Sequence, residues 1–142
     1  MFHYSLLDQI RHQGRLRKWH PDHARGRRGE DLAHRFLRGK GFIIAARNYR
    51  TRSGSAEVDL IGWDGPSLVF IEVKSRASDD FGDPEDAVDR EKQVALIRAA
   101  GEYIHRLGVG WNNVRFDIVS IIFAETPTIN HKPDAFGSGR PL

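Results

Sequence analysis

Residues 57–74, EVDLIGWDGPSLVFIEVK, carry the strongest strand signal in the chain. Two short strands are predicted here, Glu57 to Trp63 and Leu68 to Val73, with the turn signal Asp64-Gly65-Pro66 between them. The second strand is apolar on both faces, which is typical of the centre of a sheet that helices cover. This stretch therefore predicts a hairpin within a helix-covered sheet.

Helices and strands are also predicted on both sides of the hairpin. Apolar residues recur at helical spacing over residues 27–38 and from Asp89 to Leu107. A strand from Phe42 to Ala46 precedes the hairpin, the polar residues 48–55 form the turn that joins them, and Val114 to Phe123 alternates as a fourth strand. The order helix, three strands, helix, strand predicts an α/β fold with a small mixed β-sheet flanked by helices.

The 142 residues suffice for one domain with a shorter segment at either end. Residues 1–25 are predicted to be a basic extension whose short amphipathic helix ends at Pro21, and residues 26–123 are the domain itself. Pro, Gly and polar residues dominate residues 124–142, and this composition predicts a disordered tail.

Charge and composition exclude several classes of protein. The chain has no cysteine, which excludes disulfide scaffolds, thiolate zinc sites and a cysteine nucleophile, and we expect a cytoplasmic location. No apolar run reaches the length of a membrane span, so we expect no membrane partner. Residues 1–50 carry 12 Lys and Arg against 4 Asp and Glu, although the net charge of the whole chain is only +3. This basic half predicts a polyanionic partner such as nucleic acid.

Acidic side chains and a lysine occupy the two strands of the hairpin. Because side chains alternate along a strand, Glu57 and Asp59 share one face, and Glu72 and Lys74 share a face of the next strand. A tight turn between the strands pairs Asp59 with Phe70 and places it diagonal to Glu72. Two carboxylates this close repel each other and persist only beside a compensating cation, which is either Lys74 or a divalent metal.

If a metal binds here, a ligand set of carboxylates alone predicts Mg²⁺ (or Mn²⁺), because oxygen ligands without His or Cys suit a hard ion. Asp59 and Glu72 are the candidate ligands, and Glu30 on the apolar face of the first predicted helix is a third. This arrangement suits phosphodiester hydrolysis. The metal lowers the pKa of an attacking water, while Lys74 orients that water or neutralises developing charge.

Each of these residues also has an ordinary structural explanation. Glu72 and Lys74 form a surface ion pair if their strand lies at the edge of the sheet. Glu30 is equally favoured as an acid near a helix N-terminus. Glu57 serves either as a ligand or as the partner of an arginine. The position of these strands in the sheet decides between the explanations.

Basic and amide side chains flank the predicted site and are candidates for phosphate contact. Lys92 and Gln93 fall near the first turn of the second predicted helix, where a phosphate group is favoured. Arginines lie beside the first helix and in the turn after the first strand, and a solvated surface is their ordinary explanation. The full set of candidates is Arg28, Arg50, Arg52, Arg76, Lys92 and Gln93.

Several segments together match a known family. They are Arg28-Gly29-Glu30, Asn48-Tyr49-Arg50, residues 57–61, residues 69–76, Ala87-Val88, Lys92 and Arg115-Phe116-Asp117. Over about residues 26–122, this ordered set resembles the YraN-type family of uncharacterised bacterial proteins. That family looks like a branch of the PD-(D/E)xK, restriction-endonuclease-like superfamily, whose members include Holliday-junction resolvases and cut DNA with Mg²⁺.

The resemblance implies a restriction-endonuclease-like fold and a set of roles. Asp59 and Glu72 become metal ligands, Lys74 becomes the catalytic lysine, and Glu30 becomes the helix-borne acid. A metal-dependent nuclease-like protein follows, with DNA preferred to RNA as its partner; branched or structured DNA is one candidate substrate, and monomer and homodimer both stay open. Two other classes stay open: a non-catalytic or partner-dependent nucleic-acid-binding module, and an interaction protein whose acidic pocket is structural.

Overall fold

The computed structural model describes residues 21–77 and 88–138, which form a five-stranded sheet with one helix on each face. The helices are α1 (Pro21–Gly39) and α2 (Arg90–Leu107), and the strands are β1 (Ile43–Arg50), β2 (Glu57–Asp64), β3 (Ser67–Arg76), β4 (Val114–Ile122) and β5 (Thr128–Phe136). The strands follow one another across the sheet in chain order. The pair β3 and β4 is parallel and is joined by α2, whereas the other neighbours are antiparallel. This architecture confirms the predicted α/β class and is consistent with a restriction-endonuclease-like fold.

Each helix covers one face of the sheet with its own core. On one face Ala33 and Leu37 of α1 pack on buried residues of β2, β3 and β4. On the other face Leu96 and Ala100 of α2 pack on buried residues of the same strands. Strand β3 is the middle strand, and its residues Leu68 to Glu72 are all buried. The prediction of a central, helix-covered strand is therefore confirmed.

Helix α1 begins at Pro21 rather than at residue 27. The sequence analysis predicts that Pro21 ends a preceding helix, which lies outside the described residues, and it does not predict that a helix begins at Pro21. Proline is accepted in the first turn of a helix because the N–H groups there have no intrahelical acceptor. The predicted domain boundary between residues 25 and 26 consequently falls inside α1.

Strand β1 extends four residues beyond its predicted end at Ala46 and includes Asn48, Tyr49 and Arg50, for which the sequence predicts a turn. Tyr49 pairs with Val58 of β2. Asn48 has a φ of 51°, in the left-handed region that asparagine tolerates better than most residues. A polar residue with positive φ resembles a turn signal in sequence, and here it marks an irregular position within a strand.

The segment Thr128–Phe136 forms β5 along the edge of β4, so the prediction of a disordered tail is wrong for these residues. An edge strand keeps one row of backbone groups and much of one face in solvent, which permits its polar composition. It also tolerates Pro133, which lies where the pairing with β4 becomes irregular. Ile129 packs against the core on the α1 face and fastens the strand.

The register of the hairpin β2–β3 differs by two residues from the predicted one. Asp64 pairs with Ser67, so the two-residue turn consists of Gly65 and Pro66, and Gly65 has a φ of 57°. The pairing ends at Leu60 and Ile71, so Asp59 and Glu72 are the next residues on the two strands, whereas the sequence pairs Asp59 with Phe70. The shift brings the two carboxylates closer than the sequence predicts.

Some predictions concern residues that the structure does not describe. The N-terminal amphipathic helix precedes residue 21, and the last four residues of the chain follow residue 138. Among residues 21–77 and 88–138, neither helix combines the length and apolarity that crossing a bilayer requires.

Candidate functional site

Three carboxylates from three elements form what we call the carboxylate cluster: Glu30 of α1, Asp59 of β2 and Glu72 of β3. The Glu72 residue is 4% exposed, although a carboxylate is almost never buried without a partner. Its place on the middle strand excludes the alternative in which Glu72 and Lys74 form an exposed pair on an edge strand.

Close packing of α1 on the sheet brings Glu30 to the cluster. At Gly29 a Cβ atom would lie 3.0 Å from Ser75 Cβ and 3.1 Å from Ser75 Oγ, which is tighter than side chains normally pack. The absence of a side chain at Gly29 therefore lets the helix approach β3 closely. Glu30, the next residue, then lies near enough for its charge to raise the pKa of Asp59.

Asp59 lies in an environment that disfavours its ionised form. Burial is the main cause that raises its pKa well above the usual value of 3.8, and the negative charges of Glu72 and then Glu30 raise it further. The backbone N–H of Val73 donates to Asp59 Oδ2 at 2.8 Å and, together with the charge of Lys92, opposes that shift without cancelling it. The surroundings of Asp59 therefore favour its protonated form more than those of an ordinary aspartate do.

Two lysines approach one oxygen of Glu72. The Nζ atoms of Lys74 and Lys92 lie 3.3 Å and 3.6 Å from Glu72 Oε1. The other oxygen, Oε2, is buried and has no hydrogen-bond partner among the described residues. A buried carboxylate oxygen without a donor is costly, and it is the kind of atom that a bound cation or water satisfies.

The start of α2 positions Lys92. Asp89 is the N-cap, and its side chain accepts a hydrogen bond of 2.8 Å from the backbone N–H of Lys92. Gln93 has a different environment, since its Nε2 donates to the Val88 carbonyl at 3.2 Å. The structure therefore brings Lys92 to the cluster, whereas the amide of Gln93 secures the start of the helix.

The sequence analysis missed two polar residues next to the cluster. With its amide nitrogen turned toward the carboxylates, Asn48 donates to Glu57 Oε1 and to Glu30 Oε2, at 3.2 Å each. Ser120 of β4 pairs with Lys74, and its hydroxyl is buried without a partner among the described residues. A serine inside the apolar run of β4 was a usable signal, whereas the role of Asn48 depends on a strand that local patterns do not predict.

The remaining predicted phosphate contacts are spread over the molecule. Arg50 lines a cavity of about 400 Å³ together with Lys92 and Glu57, next to the cluster. Arg28 is exposed and stacks over the ring of Phe123 with 4.9 Å to its centre. Two others are placed by their backbones: the N–H of Arg52 bonds to Glu102, and Arg76 ends β3.

The donors of the cluster fit a hard cation in kind, because they are all carboxylate oxygens and one of them is buried without a partner. They are not yet arranged as a metal site. Within residues 21–77 and 88–138, no three His, Cys, Asp or Glu side chains stand together in a geometry that could hold a metal ion. Mg²⁺ commonly takes one or two protein carboxylates and fills its other positions with water and phosphate, so its binding does not require a group of three side chains.

Comparisons with known proteins agree with the resemblance noted from the sequence. The model of the uncharacterised protein family UPF0102 matches residues 29–121. A UPF0102 protein of Solibacter usitatus (strain Ellin6076) is 52% identical over 133 residues, which cover 94% of this chain and 96% of the relative. A UPF0102 protein of Rhodococcus jostii (strain RHA1) is 44% identical over 115 residues, covering 80% and 96% of the two chains. The expected membership of a YraN-type family is confirmed, and the chain belongs to the uncharacterised protein family UPF0102.

Proposed function

We propose that this protein is a divalent-metal-dependent nuclease that hydrolyses phosphodiester bonds of DNA in the cytoplasm. The observation that carries the proposal is the buried Oε2 of Glu72, which has no hydrogen-bond partner among the described residues, in a cluster where Glu72 and Glu30 raise the pKa of Asp59. Carboxylates with too few compensating partners lower the stability of the fold. They are therefore typical of sites that bind a cation or catalyse a reaction.

Glu30, Asp59 and Glu72 would hold the metal. When bound, Mg²⁺ or Mn²⁺ supplies a polarised phosphate and an activated water. Asp59 must lose its proton before it can act as a ligand, and its raised pKa makes cation binding pH-dependent. The N–H of Val73 holds Oδ2 of Asp59 in place while the other oxygen stays available.

Lys74 has the position expected of the lysine in such a site. Its Nζ atom lies 3.3 Å from Glu72 Oε1, and 27% of its side chain is exposed, so it reaches both the cluster and an incoming substrate. There it can orient the attacking water by hydrogen bonding and stabilise negative charge on the phosphate. Lys92, which is 3.6 Å from the same oxygen, can release Glu72 and contact the substrate's backbone instead.

Cleavage of labelled linear, flap and four-way-junction DNA tests the proposal. The assay compares Mg²⁺, Mn²⁺ and EDTA, and the wild type with Glu72→Gln, Asp59→Asn and Lys74→Met. We expect metal-dependent cleavage that each substitution lowers by at least about 100-fold, as for other groups that act in the transition state. Glu125→Gln removes an exposed acid on the β4–β5 connection and serves as the matched control.

A second candidate is a nucleic-acid-binding module without turnover. It is favoured by the two lysines that already neutralise Glu72 Oε1 and by the lack of a ready-made three-ligand metal site among the described residues. Binding to DNA without cleavage in any metal would support this candidate and contradict the nuclease. The homodimer that the resemblance implies stays a prediction, which light scattering with and without DNA checks.

A further inference from the structure

A cavity of about 520 Å³ is lined by residues of α1 and by one residue of β1. It is lined by Asp31, His34, Arg35, Arg38, Gly39 and Arg47. None of the three arginines belongs to the phosphate contacts that the sequence predicts. On α1 the lining residues recur every three or four positions, so they form one face of the helix.

Arg47 of β1 joins this cavity to the cluster. Its Nη2 atom lies 2.8 Å from Asp31 Oδ1 and 3.8 Å from Glu30 Oε2, and only 11% of its side chain is exposed. The guanidinium is therefore held in position by two carboxylates, one in the wall of the cavity and one in the cluster.

The charge of the cavity is strongly positive. Three arginines face a single carboxylate, Asp31, and His34 adds no charge at neutral pH. Burial is the main cause that lowers the pKa of His34 to about 4, and the nearby charges of Arg47 and Arg38 lower it further. His34, Arg38 and Arg47 all line this cavity.

Two of the arginines are available to a ligand. Arg35 and Arg38 are exposed, and neither forms an ion pair with a carboxylate in the part of the chain that the structure describes. Each guanidinium presents a planar fork of N–H donors that matches two oxygens of a phosphate group. A net charge of about +2 between Asp31 and three arginines suits a phosphate anion better than a carboxylate-rich or apolar ligand.

We propose that this cavity is a phosphate subsite in which Arg35 and Arg38 bind a backbone phosphate of the nucleic acid, away from the bond that is cut. This proposal rests on the proposed function, because the subsite binds the same DNA substrate as the carboxylate cluster does. The two sites together would define the path of the DNA along α1. Glu30 and Arg38 are eight residues apart, or roughly 12 Å along the helix axis, so the subsite contacts a phosphate distant from the cluster. The substrate is then a polynucleotide rather than a mononucleotide or a free phosphate ester.

Binding measurements without cleavage test this subsite. Labelled DNA duplex is titrated with protein in EDTA at several salt concentrations, and anisotropy gives the dissociation constant. We expect Arg35→Gln/Arg38→Gln to weaken binding about tenfold and to reduce the slope of log K against log salt by about 0.9 for each phosphate that the variant no longer neutralises. Arg98→Gln, which removes an exposed arginine of α2 on the opposite face of the sheet, should leave the slope unchanged.

The outcomes separate the subsite from the proposed function. If the wild type does not bind DNA under any condition, both proposals are wrong. If the wild type binds but the double variant keeps the same affinity and salt slope, the subsite is wrong and the nuclease proposal stands. Inorganic phosphate is a further probe: if it protects the wild type from thermal unfolding as well as a short oligonucleotide does, the ligand is a free ion and the backbone assignment is overturned.

Discussion

The sheet contains two aspartates, Asp117 buried and Asp59 half-buried, whose surroundings are opposite. Asp117 of β4 is fully buried and accepts two bonds from Arg115, at 2.8 and 2.9 Å, one from His131 at 2.7 Å and one from the Asp134 N–H at 3.0 Å. Asp59 accepts one N–H bond, from Val73, and has two like charges nearby. One carboxylate is saturated with donors, and the other is surrounded by acids.

The two environments shift the pKa in opposite directions. Burial alone would raise the pKa of Asp117, but the bonds from His131, Arg115 and the Asp134 N–H outweigh it and hold the pKa below 3.8. For Asp59 burial and like charges act together and raise the pKa. A carboxylate whose oxygens all accept hydrogen bonds from the protein stabilises the fold, whereas one with few such bonds is typical of a site that binds a ligand.

The network around Asp117 has a structural purpose that can be read from its partners. His131 belongs to β5 and accepts a bond of 2.8 Å at Nδ1 from Lys40, in the connection between α1 and β1. With Nδ1 as the acceptor, Nε2 is the donor to Asp117. The network therefore ties the edge strand β5, the middle of β4 and the end of α1 into one unit.

The largest expected effect is on stability, at Asp117. We expect Asp117→Asn to lower the free energy of unfolding by about 3–5 kcal/mol, because it removes the buried negative charge that pairs with Arg115 and turns an amide NH₂ toward the donors of Arg115 or His131. Urea unfolding at neutral pH measures this. Asp64→Asn removes the more exposed partner of Arg115 and should cost less than about 1 kcal/mol. An equally small loss at Asp117 would contradict the contrast between the two aspartates.

Next in size is the packing that brings Glu30 to Asp59. Gly29→Val places atoms against Ser75 and should lower the free energy of unfolding by about 1–3 kcal/mol, as overpacking does. The matched control is Gly26→Val, since a Cβ at Gly26 meets nothing within 4 Å. Urea unfolding of both variants checks the difference. Equal effects at the two glycines would show that α1 does not need close contact with β3.

A smaller effect of opposite sign is expected at Asp59. Asp59→Asn removes a negative charge next to Glu72 and Glu30 and should raise the free energy of unfolding by about 1 kcal/mol in EDTA, or the Tm by about 2–4 °C. Added Mg²⁺ should raise the Tm of the wild type and not that of the variant. Differential scanning calorimetry gives both values, and a destabilised Asp59→Asn would place Asp59 in the same class as Asp117.

The pH dependence of the two variants sharpens the comparison further. Because folding raises the pKa of Asp59, this group costs stability as pH rises through its folded pKa, so the advantage of Asp59→Asn should grow from about pH 4 to pH 8. Asp117 behaves in reverse: its stabilisation is present above its unfolded pKa, about 3.9, and is lost as pH falls through the lower folded value. Urea unfolding measured from well below the unfolded aspartate pKa of about 3.9 up to about pH 8 tests both signs, and parallel pH profiles would refute the opposite roles of the two groups.

The candidate site was predictable as far as short-range patterns reach. The alternation of side chains put Glu72 and Lys74 on one face, and the helix start at Asp89 placed Lys92. The sequence analysis pairs Asp59 with the wrong residue, Phe70. The turn lies one position later than predicted, at Gly65 and Pro66, and this moves the register of the hairpin by two residues. Strand identity is a local property, whereas register depends on which turn closes best.

Polar residues show where prediction from local patterns ends. Asn48 resembles part of a turn and Pro133 resembles part of a disordered tail, yet both lie in strands of the sheet. These strands form because neighbouring strands provide hydrogen-bond partners for their backbone groups. The local sequence does not show that such partners are present. The arginines of the α1 cavity were missed for a related reason, since Arg47 meets Arg35 and Arg38 only when β1 lies beside α1.

By itself the sequence determined the α/β class, the central strand β3, the helix α2 with its capping residues, and membership of the UPF0102 family, because these depend on periodicity, caps and ordered motifs along the chain. Only the tertiary structure decided that Asp59 faces Glu72, that Asp117 is saturated, and that β5 completes the sheet. The physical reason is that charge, burial and hydrogen-bond partners are set by contacts between residues far apart in the chain, and two aspartates that look alike in sequence acquire opposite pKa shifts from them.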